Sequence, residues 1–236
     1  MNQQIEGLFL SSTAYSDNSA IVQLYTEQYG RHSFIFKRLK NKNNPYVFQP
    51  FHFIEFTCNY NSNKNLNLGV SPSLISPFHE ITSDIRKISV ALFLTEILIL
   101  VLKEETRSSE LYVFLKRSII LFDKEPFHPD FHLVFLITLF EFLGIQPINN
   151  HSRSNTVFNL SEAKFVIPQE FNTNDNTLST AFSSLLGMKI DAYQNKKFNA
   201  STRNKLLDLI LNYLGEHFHF NASKISSHKI LKTIFN

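Results

Sequence analysis

The densest chemistry in this 236-residue chain lies in Gly30-Arg31-His32-Ser33-Phe34-Ile35-Phe36-Lys37-Arg38-Leu39-Lys40-Asn41-Lys42. No acidic residue falls between Glu27 and Glu55. Arg31, Lys37, Arg38, Lys40 and Lys42 therefore form a cationic run without local compensation. On a strand, side chains alternate between faces. Phe34, Phe36, Arg38 and Lys40 would share one face; Ile35, Lys37 and Leu39 would share the other. Cations that track phosphates, beside rings that stack on bases, are what hold single-stranded nucleic acid. Phe34 and Phe36 have two roles open to them, stacking platform or core. The cations beyond Leu39 fall at a strand end and loop, where burial is disfavoured. A second basic set holds Lys189, Lys196, Lys197, Arg203 and Lys205, then Lys224, Lys229 and Lys232. Arg203 and Lys205 fall in the first turn of an expected helix, where cations oppose the helix dipole. Nearby phosphates would offset that penalty. Lys196, Lys197, Arg203 and Lys205 are thus a candidate second DNA-contacting surface, with a solvated helix face as the other reading.

Other chemistry finds little support. The six glycines are scattered, which excludes a G-x-x-x-x-G-K phosphate loop. Neither a G-x-S-x-G elbow nor an H-E-x-x-H pair occurs. Cys58 is the single cysteine, so an intramolecular disulfide and a thiolate metal cluster are both impossible. In a strand it reads as a small buried hydrophobe rather than a nucleophile. His128 and His132 have metal-ligand spacing, but Pro129 places His128 before the helix rather than on it. His217 and His219 read as helix-end residues beside solvent. The expectation is a protein without catalytic residues, metal or cofactor.

These residues need elements to position them. From Ile5 to Pro77 the pattern is that of strands: Ile5–Thr13, Ala20–Thr26, His32–Leu39, Phe48–Tyr60 and Leu68–Ile75. Gly30 suits a hairpin turn of positive φ. Five short strands suggest a small barrel or sandwich; five is the count of an OB-fold, but other small barrels share it. After Pro77 the period becomes helical. Ser83 or Asp84 can cap a helix running to about Lys103, and Ser108 or Ser109 can start another. Phe131–Leu143 is stopped by Gly144 and Pro147. Residues 149–176 are irregular and polar, with a strand-like Lys164–Ile167. Leu178–Gly187, a helix capped by Ser201 and a last helix over Ser223–Phe235 complete the chain. The fold class is α+β: a small β-barrel over residues 1–79, then an all-α domain over 80–236.

Composition agrees with a globular protein: 43% hydrophobic and 18% charged residues, with 24 Phe and no Trp. Charge is uneven. Residues 1–80 carry six basic and five acidic groups, 81–180 nine and twelve, and 181–236 eight and three. Two basic ends around an acidic middle permit, without requiring, a polyanionic partner. The apolar stretch Ile81–Leu102 is interrupted by Asp84, Arg86, Lys87 and Glu96, so it reads as a buried helix rather than a membrane span. The polar start of the chain lacks the character of a secretory signal, and the expected location is the cytoplasm.

The run Ala14-Tyr15-Ser16-Asp17-Asn18-Ser19-Ala20-Ile21-Val22-Gln23-Leu24-Tyr25-Thr26, closing on Gly30-Arg31, resembles the opening of the RecO family of bacterial recombination mediators. That family shows an I-V-x-L-[FY]-T strand, then Gly-Arg and a basic tail, here Lys37, Arg38, Lys40 and Lys42. Phe48-Gln49-Pro50 with Ile54-Glu55, the helix Ile85–Leu98, Leu102-Lys103-Glu104-Glu105, Phe131-His132-Leu133 and Leu143-Gly144-Ile145-Gln146-Pro147 continue the likeness in order. It covers residues 4–170 well and the remainder loosely.

The resemblance implies an N-terminal OB-fold on a helical domain and a role in DNA repair and recombination. It also implies binding of single- and double-stranded DNA, annealing of complementary strands, partnership with RecR, and a nucleoid-associated location. It further implies recognition of the acidic, Phe-ended tail of the single-strand-binding protein, and help in loading RecA. For such a tail a basic-rimmed apolar pocket in the helical domain is expected. The competing expectation is an adaptor whose barrel docks a partner chain and has little DNA affinity of its own. Two departures stand out. Many members carry a four-cysteine zinc module after the G-x-x-P segment, where this chain has Asn149-Asn150-His151-Ser152-Arg153-Ser154. The family often has Arg just before I-V, where this chain has Ala20.

Overall fold

Alternation along three consecutive strands builds the first unit. In β1 (Gln3–Ser16), β2 (Ser19–Thr26) and β3 (Gly30–Lys37) every second apolar side chain turns to one side. β4 (Phe53–Cys58) and β5 (Asn67–Leu74) complete a closed barrel in the order β1-β2-β3-β5-β4, with β4 returning to β1. The β3–β5 pair is parallel and the others antiparallel. This is an OB-fold barrel. The computed structural model describes residues 2–37, 47–64, 66–75, 78–103, 107–168, 176–195 and 197–234.

Ile5, Phe9, Val22, Leu24, Phe34, Phe36, Ile54, Phe56 and Cys58 fill the barrel. The Phe56 ring meets Phe34 at 4.8 Å and Phe36 at 5.2 Å between centroids, both edge to face. Gly30 opens β3 with φ +65°, as its turn position demands. Gly69 answers a different need: a Cβ there would collide with the Phe36 ring. The expected fourth strand begins five residues late, because Gln49 to His52 form a turn. His52 N–H donates to Gln49 O at 3.0 Å, and Phe51 adopts φ +67°. In β5, Ser71 at φ +53° accompanies a register shift against β4, a bulge that admits Pro72 to the strand.

The helices α1 (Glu80–Ser83), α2 (Ile85–Val101) and α3 (Ser109–Lys124) belong to the same compact unit, Met1–Glu125. The sequence places a division at residue 79; contacts carry the first unit on to Glu125. Asp84 caps α2, accepting from Arg86 N–H at 2.8 Å, and Ser108 caps α3, accepting from Leu111 N–H at 3.1 Å. Glu6 of β1 accepts from the Tyr112 hydroxyl and the Lys116 ammonium of α3, both at 2.6 Å. Buried Lys87 donates to Asp123 O and Glu125 O at 2.9 and 2.8 Å, satisfying carbonyls at the α3 C-terminus.

The second unit, Pro126–Asn236, is built on α4 (Phe131–Leu143), whose residues Phe131 to Ile137 are all buried. Gly144, at φ +70°, ends the helix in the left-handed conformation. A hairpin of β6 (Val157–Asn159) and β7 (Lys164–Val166) follows, then α5 (Asn176–Leu186), α6 (Ala200–Phe218) and α7 (Ser226–Ile234). Asn199, not Ser201, caps α6, its Oδ1 accepting from Thr202 N–H at 2.8 Å. His217 sits in the last turn of α6 and His219 is its left-handed C-cap, both exposed as expected. Among the described residues, no helix is long and apolar enough to cross a membrane.

Candidate nucleic-acid interface

β3 sorts the first basic run by parity. Its odd positions face outward and its even positions inward. Phe34 and Phe36 have no exposed surface. They are core, the second of the two roles open to them from sequence, which corrects their place among the candidate DNA-contacting residues. Phe56 and Gly69 make the space they occupy. Arg31 faces outward but is engaged: Nη1 donates to Ile99 O at 2.6 Å and Leu102 O at 2.9 Å, and Nη2 to Gln23 Oε1 at 2.9 Å. It satisfies carbonyls at the end of α2 and is corrected from phosphate ligand to helix cap. Lys37 is exposed at the end of β3, opposite Ser19 in register. Arg38, Lys40 and Lys42 follow it in sequence and lie outside the described residues.

The second basic set divides in the same way. Arg203 is buried, and its Nε lies 2.6 Å from Asp130 Oδ1. Its Nη2 donates to Phe198 O at 2.7 Å, while Asp130 Oδ2 accepts from Phe198 N–H at 2.6 Å. This pair locks the start of α6 to the start of α4, which removes Arg203 from the candidate DNA surface. The neighbouring carboxylate explains a cation in that helical turn. Lys197 and Lys205 are exposed; Lys196 lies outside the described residues. Asp130 precedes α4, so His128 and His132 do not share a helix face. His132 is fully buried, and burial with the nearby Arg203 charge pushes its pKa down to about 3. Burial also lowers the pKa of His128. Among the described residues, no three His, Cys, Asp or Glu side chains are grouped to hold a metal ion. Cys58 is buried, and burial raises its thiol pKa.

Sequence reasoning missed the outer face of the barrel. Ile21 of β2 pairs with Ile35 of β3, and Ile35 with Leu68 of β5. Leu68 is 44% and Val70 50% exposed. The signal was present in the alternation of each strand, but the parallel register that joins β3 to β5 is a tertiary fact.

A family model described as Recombination protein O N terminal matches residues 1–78, and one described as Recombination protein O C terminal matches residues 82–222. The chain belongs to the RecO family. It is 36% identical to the DNA repair protein RecO of Bacteroides fragilis over 170 residues, 70% of each chain. Identity to the protein of the same name from Phocaeicola vulgatus is 34% over 170 residues, again 70% of each. The DNA repair protein RecO of Flavobacterium psychrophilum aligns over the whole of both chains at 23% identity. A role in DNA repair and recombination follows from the family.

At residues 149–154, where the resemblance places the zinc module of many RecO members, the Asn149 and Asn150 amides are engaged and His151 Nε2 is buried without a hydrogen-bond partner. Asn150 Nδ2 donates to Phe165 O at 2.9 Å, and its Oδ1 accepts from Phe165 N–H at 2.8 Å. Asn149 exchanges two hydrogen bonds with Ser183. The His151 ring packs edge to face on Phe165, which joins Phe158 and Phe182. Amides, hydroxyls and one imidazole are not the thiolate set of a structural zinc site, and the residues do not fit that ion.

Proposed function

We propose that this chain is a non-enzymatic cytoplasmic mediator of DNA repair that binds single- and double-stranded DNA and anneals complementary strands. The observation that carries this reading is Lys37, exposed at the end of β3 and followed in sequence by Arg38, Lys40 and Lys42. Annealing requires no bond chemistry. Two like-charged strands approach when protein cations reduce their repulsion. Lys197 and Lys205, exposed on the second unit, supply a further cationic surface for DNA; Lys196 precedes Lys197 in sequence. Family membership supports the extension to RecR, to the tail of the single-strand-binding protein and to assistance in RecA loading.

The test is a salt titration of single-stranded DNA affinity. About four phosphate contacts give a slope of log affinity on log salt near −3, at about −0.7 per contact. Reversing Lys37, Arg38 and Lys40 to Glu should flatten that slope. An unchanged slope removes this surface from the reading. A wild-type chain with no DNA affinity instead makes the barrel a docking module for a partner.

A further inference from the structure

α2 is apolar on every side. Its 17 residues include three charged side chains, Arg86, Lys87 and Glu96. A helix of this kind is ordinarily enclosed. Here one face is not. Ile85 is 63%, Leu92 44% and Leu100 40% exposed, and Ile88, Glu96 and Ile99 are half-buried. With about 3.6 residues per turn, these positions fall within one arc of about 120°. The stripe from Ile85 to Leu100 is about 22 Å long, and Glu96 is its one charged member. Exposed aliphatic groups in such a row mark a contact surface.

Spacing selects the occupant. Ile85, Leu92 and Ile99 recur at the heptad interval of a coiled-coil seam, and Ile88 falls at the companion position. The series is also symmetric about Leu92, with an isoleucine one heptad to either side. Laid antiparallel on itself with Leu92 on the axis, the stripe sets Ile85 against Ile99 of the second copy and Ile99 against its Ile85. Glu96 then falls opposite Ile88 rather than opposite its own copy, so no like charges meet. A two-fold interface requires such self-complementarity, one patch meeting itself; an unrelated partner does not. A recess of about 110 Å³ beside Ile88 and Leu92, bounded by Pro50 and His52, offers a hole for a leucine knob. We propose that two copies of this chain associate through α2, antiparallel about a two-fold axis at Leu92. A seam about 22 Å long is at the small end of protein interfaces, so the dimer depends on concentration. Association of this kind needs no DNA. Its use rests on the annealing reading above, under which a dimer carries a basic run for each strand.

The test is the oligomeric state of the full chain. Sedimentation velocity over a dilution series should show a monomer–dimer equilibrium. Leu92→Glu sets two carboxylates together on the axis and should weaken association about tenfold or more, with circular dichroism and urea midpoint near wild type. Cysteine substitution tests the register. Cys58 is the sole cysteine and is buried, so a new surface thiol reports alone. Leu92→Cys should form a disulfide-linked dimer with oxidised glutathione, because a residue on the axis meets itself. Ile85→Cys alone should not, since it would lie about 21 Å from its own copy, beyond the roughly 7 Å between Cα atoms that a disulfide spans. A mixture of Ile85→Cys and Ile99→Cys chains should crosslink. A wild-type chain that stays monomeric, with no Leu92→Cys crosslink, overturns the proposal, and this arm holds even where Leu92→Glu folds poorly. So does a dimer that a folded Leu92→Glu chain keeps, which belongs to another face. Ile85→Cys chains that crosslink to themselves as readily as Leu92→Cys chains overturn the antiparallel axis. Leu92→Glu should also anneal complementary strands more slowly at unchanged single-strand affinity; an equal rate overturns that use of the dimer, and absence of any wild-type DNA affinity removes the DNA-binding reading alone.

Discussion

Arg203 and Lys205 sit two positions apart in one helical turn and have opposite fates. Arg203 is buried against Asp130, whereas Lys205 is exposed. Removing one partner of a buried ion pair strands the other without its counter-charge, a loss of about 3–5 kcal/mol. Arg203→Ala should therefore lower the urea midpoint sharply. Lys205→Ala, at an exposed position, should change stability by no more than about 1 kcal/mol. Equal midpoints for the two variants would deny Arg203 its structural role. His132, beside Arg203, gives a pH signature. Its folded pKa of about 3 lies below the ordinary imidazole value of 6.5, so the unfolded chain binds more protons between those values. Stability from this group is present above pH 6.5 and lost as pH falls. The slope is about 1.4 kcal/mol per pH unit inside the window. Unfolding measured at pH 6.5 and pH 5 should show that loss, and His132→Leu should reduce it. A variant with the wild-type pH slope would show that His132 does not bear the protonation cost.

At the scale of elements, Arg31 joins the outer face of β3 to the last carbonyls of α2. Arg31→Ala should cost about 1–3 kcal/mol by leaving those carbonyls unsatisfied, with the DNA salt slope unchanged; a flattened slope would return Arg31 to the phosphate surface. The Asn150 bridge to Phe165 makes a parallel case. Asn150→Ala should lower the melting temperature, whereas a zinc chelator should not; chelator sensitivity would point to a metal that the donors do not suggest. Much of this architecture was legible in sequence. Period-two alternation placed five strands, Gly30 and Gly144 marked a turn and a helix end where they occur, and of the cap pairs Ser83 or Asp84 and Ser108 or Ser109 the structure uses Asp84 and Ser108. The hairpin partner Val157–Asn159 was not legible, because three residues carry too little alternation to stand out. The role of Arg31 was hidden for another reason: its acceptors lie 68 and 71 residues away. Strand parity did separate Phe34 and Phe36 from Lys37, but which face is inside depends on Phe56 and Gly69 across the barrel.

For the whole molecule, the proposed annealing activity poses a problem that one cationic surface cannot solve. A site that binds one strand tightly is saturated by it, and a second strand then meets the charge of the first. Two basic surfaces, each holding one strand, would remove that conflict. The chain has a basic run on each unit, at Lys37 to Lys42 and at Lys196, Lys197 and Lys205, and the described lysines of both, Lys37, Lys197 and Lys205, are exposed. Reversing Lys196, Lys197 and Lys205 to Glu should therefore leave single-strand affinity near the wild-type value at low protein occupancy. The rate of annealing should fall by about tenfold or more, since each lost contact weakens capture of the second strand. Reversing Lys37, Arg38 and Lys40 should depress both quantities. A stopped-flow annealing assay with complementary labelled oligonucleotides, run beside equilibrium binding of one strand, separates the two outcomes. If reversal on the second unit lowers strand affinity and annealing rate in proportion, the two runs act as one continuous binding surface, and annealing must draw its second strand from another copy of the chain.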